Sequence, residues 1–356
     1  MPGADIIPDD IHKGWQAKMA KSETLKVVDM HTAGEPVRIV TSGGPALMGA
    51  SILEKRRDMA EHYDHIRQRT MLEPRGHAEM YGAILTEPSL PGADAAVLFM
   101  HNGGYSTMCG HATIALGRYL IDAGIVKRET PQTTFTLECP CGPVTVCTDI
   151  EDGALAAVSF ESVVSFADRL DASADVPGLG AVSYDIGYGG AYYAILPASA
   201  FGTGFLTAPV SDLHRAATTL LAHLRNTTTI THPDEADLGF LYGVIITDDA
   251  GGDLAPRTRN LCVFGDGQID RSPTGSGVSA RIAVDVARGR MSIGEQREFA
   301  GYTNVSFIGE ALREAKGGVI TRVSGRAFYT GRTEFIVEPA DPLIDGFGLP
   351  KTLGER

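Results

Sequence analysis

The chain has 356 residues, 43% hydrophobic and 21% charged, and this length favours two compact lobes over one core. Its formal charge of −13 is spread without a long acidic run, and no basic stripe offers a surface to nucleic acid or anionic lipid. Residues 1–22 lack the apolar core of a signal peptide and no later stretch is long enough to span a bilayer, so we expect a cytoplasmic protein without nucleic-acid or membrane partners.

The first half of the chain alternates strand-like runs with helical patterns. Residues 1–22 are interpreted as a loose N-terminal extension. Apolar residues at helical spacing predict one helix from about Pro45 to Thr70. Runs rich in β-branched residues predict strands at Leu25–Asp29, Val37–Thr41, Ala95–Phe99 and Pro143–Cys147.

The second half repeats this arrangement. Asp171–Gly178 is the best candidate for a join between lobes, because no passage has the composition of a flexible linker. A second apolar helix is predicted at Ser211–Asn226, with Ser211 as its N-cap. Strands are predicted at Tyr192–Leu196, Val244–Thr247, Val319–Val323 and Thr333–Val337.

An internal repeat links the two halves. Small-residue turns that open a further helix occur at Met108–Thr113 and at Pro273–Val278, and their equivalent residues Cys109 and Thr274 lie 165 positions apart. The long helices keep nearly the same offset. We therefore predict two similar lobes, 23–174 and 175–332, each a curved sheet around one apolar helix, with a cleft between them and with 333–356 packing back on the first lobe.

The two small-residue turns are the candidate functional site. A helix start presents unpaired amides and the positive end of the dipole, so it attracts a carboxylate and lowers the pKa of a thiol placed there. Cys109 occupies such a position, with the amides of Gly110 and His111 free to donate. If the second turn faces the first, Gly275 and Ser276 supply matching donors.

This arrangement suits removal of the weakly acidic α-proton of a small amino acid, which needs a base and dipoles that hold the developing charge. Cys109 is the candidate base and Asp270 could bind the substrate nitrogen. His111 could assist or act as an acid, although residues two apart on a helix point to different sides, which argues against a ready-made Cys–His dyad. Taken alone, a cysteine is more often a core residue than a catalyst.

No metal or cofactor is expected. Cys139 and Cys141 form a lone C-x-C near Cys147, without a second pair of ligands. Five cysteines, an odd number, fit a reducing compartment better than a disulfide framework. Cys262, in an apolar run, is interpreted as a core residue.

Five segments resemble the proline racemase family. They are DMHTAGEPVRIV, EPRGHAEMYGAIL, MCGHATIALGRYL, DRSPTGSGVSAR and GRTEFIVEPADPLIDGF. The resemblance implies a mixed α/β (α+β) fold of two pseudo-symmetric, diaminopimelate-epimerase-like lobes. It also implies a cofactor-independent enzyme acting on a small amino acid, with one cysteine at each helix start in its racemases and epimerases.

Thr274 stands where those family members carry the second cysteine. A hydroxyl is too weak an acid to replace a thiol there, so the residue pair resembles the family's trans-3-hydroxy-L-proline dehydratase branch. The expected reaction is removal of the α-proton by Cys109 and loss of the 3-hydroxyl, giving Δ1-pyrroline-2-carboxylate. A proline racemase or hydroxyproline 2-epimerase is the alternative, and a non-catalytic amino-acid-binding protein is a third reading. A homodimer is compatible with the sequence, which identifies no interface.

Overall fold

The computed structural model describes residues 23–248 and 255–348. The predicted N-terminal extension, 1–22, lies outside these residues, and so does the last part of the segment 333–356. Within the described ranges no helix is both long and apolar enough to cross a membrane.

The first half of the chain contains eight strands and three helices. Their bounds are β1 Glu23–Thr32, β2 Glu35–Ser42, α1 Ile52–His62, α2 Asp64–Met71, β3 Tyr81–Thr86, β4 Ala95–His101, β5 Gly104–Ser106, α3 Gly110–Asp122, β6 Gln132–Cys139, β7 Gly142–Glu151 and β8 Ala154–Glu161.

The second half contributes ten further strands and two α-helices within the described ranges. Their bounds are β9 Phe166–Val176, β10 Gly180–Tyr188, β11 Tyr192–Pro197, α4 Val210–Thr227, β12 Leu241–Thr247, β13 Arg257–Phe264, β14 Gln268–Asp270, α5 Gly275–Ala287, β15 Gln296–Ala300, β16 Ser306–Ala315, β17 Gly318–Gly325 and β18 Ala327–Val337. Each of the eight strands predicted from sequence lies inside one of these strands, so those predictions are confirmed.

Hydrogen bonds connect the eighteen described strands into one strongly curved system. One part wraps around α3, which packs against β1, β7 and β8, and the other wraps around α5, which packs against β9, β10 and β16. Strand β17 pairs with β8, and β18 pairs along its whole length with β1. This mixed α/β fold with one buried helix in each half confirms the predicted fold class.

The two buried helices explain the sequence repeat. Helices α3 and α5 each have 13 residues and start 165 positions apart. Both are apolar on nearly all sides because sheet surrounds them, as expected for helices buried in a core. Helices α1, α2 and α4 instead lie outside the sheets, where α4 packs on β12.

The predicted helix Pro45–Thr70 is wrong in its bounds. The helix begins only at Ile52, where Ser51 is the N-cap and its Oγ accepts from the amide of Glu54 at 3.2 Å. A break at Tyr63, whose φ is −128°, separates it from α2. The predicted N-cap Ser211 is also wrong, because α4 starts one residue earlier and Pro209 takes the cap position.

The predicted join at Asp171–Gly178 lies mostly within β9. Residues Ala172, Ala174 and Val176 pack against the core of the second half, while the acidic and hydroxyl side chains between them face outward. This alternation with period two is a strand pattern. The chain then turns tightly and returns as β10, paired antiparallel with β9.

Candidate active site

The starts of the two buried helices meet at a pair of glycines. A Cβ added to Gly110 would lie 2.4 Å from the Cα of Gly275, and one added to Gly275 would lie 2.7 Å from the Cα of Gly110. Only glycine allows two backbones to approach so closely. The first amides of both helices, which have no partner within their helix, are thereby gathered at one place.

All seven residues singled out from the sequence line one small cavity at this meeting point. The lining residues are Tyr81, Met108, Cys109, Gly110, His111, Tyr193, Tyr242, Phe264, Asp270, Thr274, Gly275 and Ser276. The cavity measures about 10 Å³, which is room for about one water molecule. An amino acid needs more space, so we expect the cavity to widen when one binds. A roomier surface hollow of about 380 Å³ beside Arg288 is lined by paired charges and lacks the helix starts.

Cys109 is the N-cap of α3, with an extended backbone, and its Sγ accepts from the amide of Ala112 at 3.4 Å. The same Sγ lies 3.2 Å from Nδ1 of His111, so the argument against a Cys–His pair is wrong. It assumed that both residues have helical backbones. Because Cys109 is outside the helix proper, its side chain folds back over the first turn and reaches the imidazole.

The other nitrogen of His111 indicates which tautomer the ring adopts. Nε2 lies 3.3 Å from the carbonyl oxygen of Pro36, which can only accept. Nε2 therefore carries the proton, and Nδ1 is left to accept from the thiol of Cys109.

Burial dominates the electrostatics of this pair. It raises the pKa of Cys109 well above the ordinary thiol range, which overturns the expectation that the helix start lowers it. The amide of Ala112 and the hydroxyl of Tyr81 oppose the shift, whereas Asp270 and Glu35 add to it. Burial also lowers the pKa of His111. Thiol and imidazole are thus both neutral in the ligand-free protein.

Thr274, at the start of α5, combines backbone strain with an unused hydroxyl. Its φ of 63° lies in the left-handed region, which is costly for a β-branched residue. Its Oγ1 is buried and has no hydrogen-bond partner among the described residues. Burial raises the pKa of Cys262, and the Thr274 hydroxyl partly opposes this rise. The core thiol of Cys262 therefore lies near this hydroxyl. A buried hydroxyl without a partner is expected where a ligand supplies one.

Asp270 and Ser276 are held by their own hydrogen bonds. Oδ1 of Asp270 accepts from the amide of Ser272 at 2.7 Å, and the hydroxyl of Ser276 lies 2.8 Å from that of Tyr193. These contacts fix both side chains at the cavity before any ligand binds, since β14 and the first turn of α5 are themselves buried.

The structure adds aromatic residues that sequence reasoning missed. Tyr81, Tyr193, Tyr242 and Phe264 lie on β3, β11, β12 and β13, and their rings line the cavity. The hydroxyl of Tyr81 lies 2.5 Å from Oγ of Ser106. An aromatic residue in a strand is usually a core residue, so no local signal marked these four as site residues.

Glu35 is a buried carboxyl beside the site. Its Oε2 accepts from the amide of Arg271 at 2.8 Å, while its Oε1 has no hydrogen-bond partner among the described residues. Burial, followed by repulsion from Asp270, raises its pKa well above the ordinary carboxyl range. Glu35 belongs to the family-like segment DMHTAGEPVRIV, and the structure places it next to Asp270 and Arg271.

Two opposed helix starts and a buried thiol at one small cavity are the features that define this class of site. The chain belongs to the proline racemase family, whose model, described as "Proline racemase", matches residues 27–348. Human trans-3-hydroxy-L-proline dehydratase is 48% identical over 334 residues, covering 91% of this chain and 94% of that one. The dehydratase of the same name from Colwellia psychrerythraea is 38% identical over 341 residues, 94% and 96% of the two chains.

Solved structures agree with this assignment. A hydroxyproline epimerase from Agrobacterium vitis, with bound trans-4-hydroxy-L-proline, superposes with a TM-score of 0.84 at 26% identity, covering 92% of this chain and 95% of that one. A probable proline racemase from Agrobacterium radiobacter gives a TM-score of 0.84 at 28% identity, with 91% and 96% covered.

Proposed function

We propose that the protein dehydrates trans-3-hydroxy-L-proline to Δ1-pyrroline-2-carboxylate. The observation that carries the proposal is the unequal pair at the two helix starts, with a thiol at Cys109 and a hydroxyl at Thr274. Relatives named for this dehydration are 47–48% identical to the chain across about nine-tenths of its length. Racemisation by two thiols would need a second thiol at the start of α5, where this chain has the hydroxyl of Thr274.

The cavity suggests a role for each lining residue. The amides of Gly110, His111, Gly275 and Ser276 hold the substrate carboxylate at the two positive helix ends. Asp270 accepts a hydrogen bond from the ring nitrogen, and Thr274 gives its unpartnered hydroxyl to the substrate.

Cys109, as thiolate, removes the α-proton. The electrons of the broken C–H bond form a double bond between the α- and β-carbons as the 3-hydroxyl leaves. The resulting enamine takes a proton at the β-carbon and loses the proton of its ring nitrogen, which gives the tautomer Δ1-pyrroline-2-carboxylate. No metal or cofactor takes part in this scheme.

The test is proton NMR of the protein with trans-3-hydroxy-L-proline, trans-4-hydroxy-L-proline and L-proline in D2O. We expect Δ1-pyrroline-2-carboxylate from the first compound and no inversion of the other two. Cys109→Ser should abolish turnover while the protein still binds the substrate. Inversion without water loss would favour the epimerase alternative, and binding without turnover in the unaltered protein would favour a binding protein.

Three further proposals concern the division into lobes, the compartment and the oligomeric state. The lobes are divided at 23–174 and 175–332, with the C-terminal strand returning to the first lobe, which the pairing of β18 with β1 supports. The protein works in the cytoplasm, which its five free cysteines suit. It acts as a monomer or homodimer, which analytical ultracentrifugation distinguishes.

A further inference from the structure

We propose that His111 is the acid that protonates the departing 3-hydroxyl, and that Cys109 and His111 work as one self-resetting proton-transfer pair. The inference rests on the proposed dehydration and assigns a residue to its least defined step. It follows from the stereochemistry of the substrate together with the contacts of the pair.

The substrate requires its acid and base on one face of the ring. In a trans-3-hydroxyproline the hydroxyl and the carboxylate lie on opposite faces, so the α-hydrogen lies on the same face as the hydroxyl. A base that reaches the α-hydrogen therefore shares its side of the ring with the leaving group. An acid distinct from Cys109 must therefore be its neighbour, with the donor atom beside the sulfur.

His111 meets this requirement. Its Nδ1 lies 3.2 Å from Sγ of Cys109, a separation suited to two atoms carried on adjacent ring carbons. The carbonyl of Pro36 on Nε2 and the hydrogen bond from Thr32 Oγ1 to the His111 carbonyl, 2.9 Å, hold ring and backbone in place. The charged or titratable groups facing the pair among the described residues are Tyr81, Tyr242, Cys139, Asp270 and Glu35.

Tyr81 also adjoins the sulfur but fits the role less well. If Tyr81 were the acid, the thiol would first have to lose its proton elsewhere, leaving an extra negative charge in a buried pocket that already faces Asp270 and Glu35. Transfer from sulfur to Nδ1 instead creates base and acid together, with no change in net charge. Thr274 fits the role less well too, since it caps the other helix and no hydrogen bond joins its hydroxyl to Cys109 among the described residues.

Each turnover returns both residues to their starting protonation states. The Cys109 thiol gives its proton to Nδ1 of His111, forming thiolate and imidazolium. The thiolate takes the α-proton, the C–H electrons form the new carbon–carbon double bond, and the C3–O bond breaks. The imidazolium gives its Nδ1 proton to the departing oxygen, which leaves as water. Cys109 is again a thiol and His111 is again neutral, so no outside acid or base is consumed.

The test compares trans-3-hydroxy-L-proline with trans-3-chloro-L-proline, because chloride leaves without a proton. His111→Gln should lower kcat/KM for the hydroxy substrate at least about 100-fold more than for the chloro substrate. His62→Gln, on the exposed surface of α1, is the matched control and should leave the ratio unchanged. In the unaltered enzyme the hydroxy reaction should slow at alkaline pH, as the imidazolium loses its proton, while the chloro reaction does not.

The outcomes separate the two proposals. Equal losses on both substrates in His111→Gln, with normal dehydration by the unaltered enzyme, overturn the role of His111 and leave the dehydratase assignment standing. No pyrroline product from the hydroxy substrate in the unaltered enzyme overturns the proposed function itself. If His111→Gln does not fold, parallel alkaline profiles for the two substrates in the unaltered enzyme contradict the inference.

Discussion

At the scale of single residues, Cys109 shows two opposing influences on one thiol. The helix start and the amide of Ala112 favour the thiolate, but burial outweighs them and raises the pKa of Cys109. A thiol in such surroundings becomes a base only if its proton has a nearby acceptor. The sequence supplied that acceptor two residues later, at His111, although its contact with the sulfur required the extended backbone of the N-cap.

Thr274 permits a prediction about its unpartnered hydroxyl. Thr274→Val keeps the shape of the side chain and removes a buried polar atom that has no protein partner among the described residues. We expect the free energy of unfolding to stay the same or rise, since no hydrogen bond within the described part of the chain is lost. We expect KM for the substrate to rise about tenfold, because one hydrogen bond to a bound ligand is lost.

Urea denaturation and steady-state kinetics measure these two effects. Thr274→Ser, which keeps the hydroxyl, is the matched control and should retain the KM. A Thr274→Val protein that is clearly less stable, with an unchanged KM, would show that the hydroxyl serves the fold rather than the ligand.

At the scale of secondary-structure elements, the site depends on how closely α3 and α5 approach. Gly110→Ala would place a methyl group 2.4 Å from the Cα of Gly275, where backbone meets backbone and no flexible side chain can move aside. The helix starts must then separate, which moves the thiol relative to the amides of α5. We expect kcat/KM to fall about 100-fold, as for a displacement of roughly 1 Å between catalytic groups.

The matched control is Gly331→Ala on β18, where an added Cβ meets open space. It should leave kcat/KM unchanged. Thermal unfolding should be measured for both variants, so that loss of activity is compared at equal folded fractions. An active Gly110→Ala protein would mean that the working enzyme never brings the two glycines into contact.

At the scale of the whole molecule, the closed cavity predicts an opening motion. A space of about 10 Å³ cannot hold an amino acid or a thiol reagent, so we expect labelling of Cys109 to require a transient widening of the cavity. We expect the labelling rate with iodoacetamide to reach a plateau as reagent concentration rises, since opening becomes limiting. Below the plateau the rate should rise with pH beyond the ordinary thiol range, because burial raises the pKa of Cys109.

Mass spectrometry of the labelled peptide follows Cys109 separately from the four other free cysteines. Cys147, half-buried on β7 and unrelated to the cavity, gives an internal comparison. A labelling rate for Cys109 that stays proportional to reagent concentration over the whole range, and equals the rate for Cys147, would contradict a closed resting state.

The sequence by itself determined the repeat, the two helix starts, the eight predicted strands and the seven residues that line the cavity, because these follow from local patterns and from motifs that resemble one family. Only the tertiary structure placed Glu35 and the four aromatic rings at the site, since their strands reach it through pairings between distant segments. It alone also decided the state of the thiol: the preference of a helix start is a local property, whereas burial depends on everything packed around it, and for Cys109 burial is the stronger of the two.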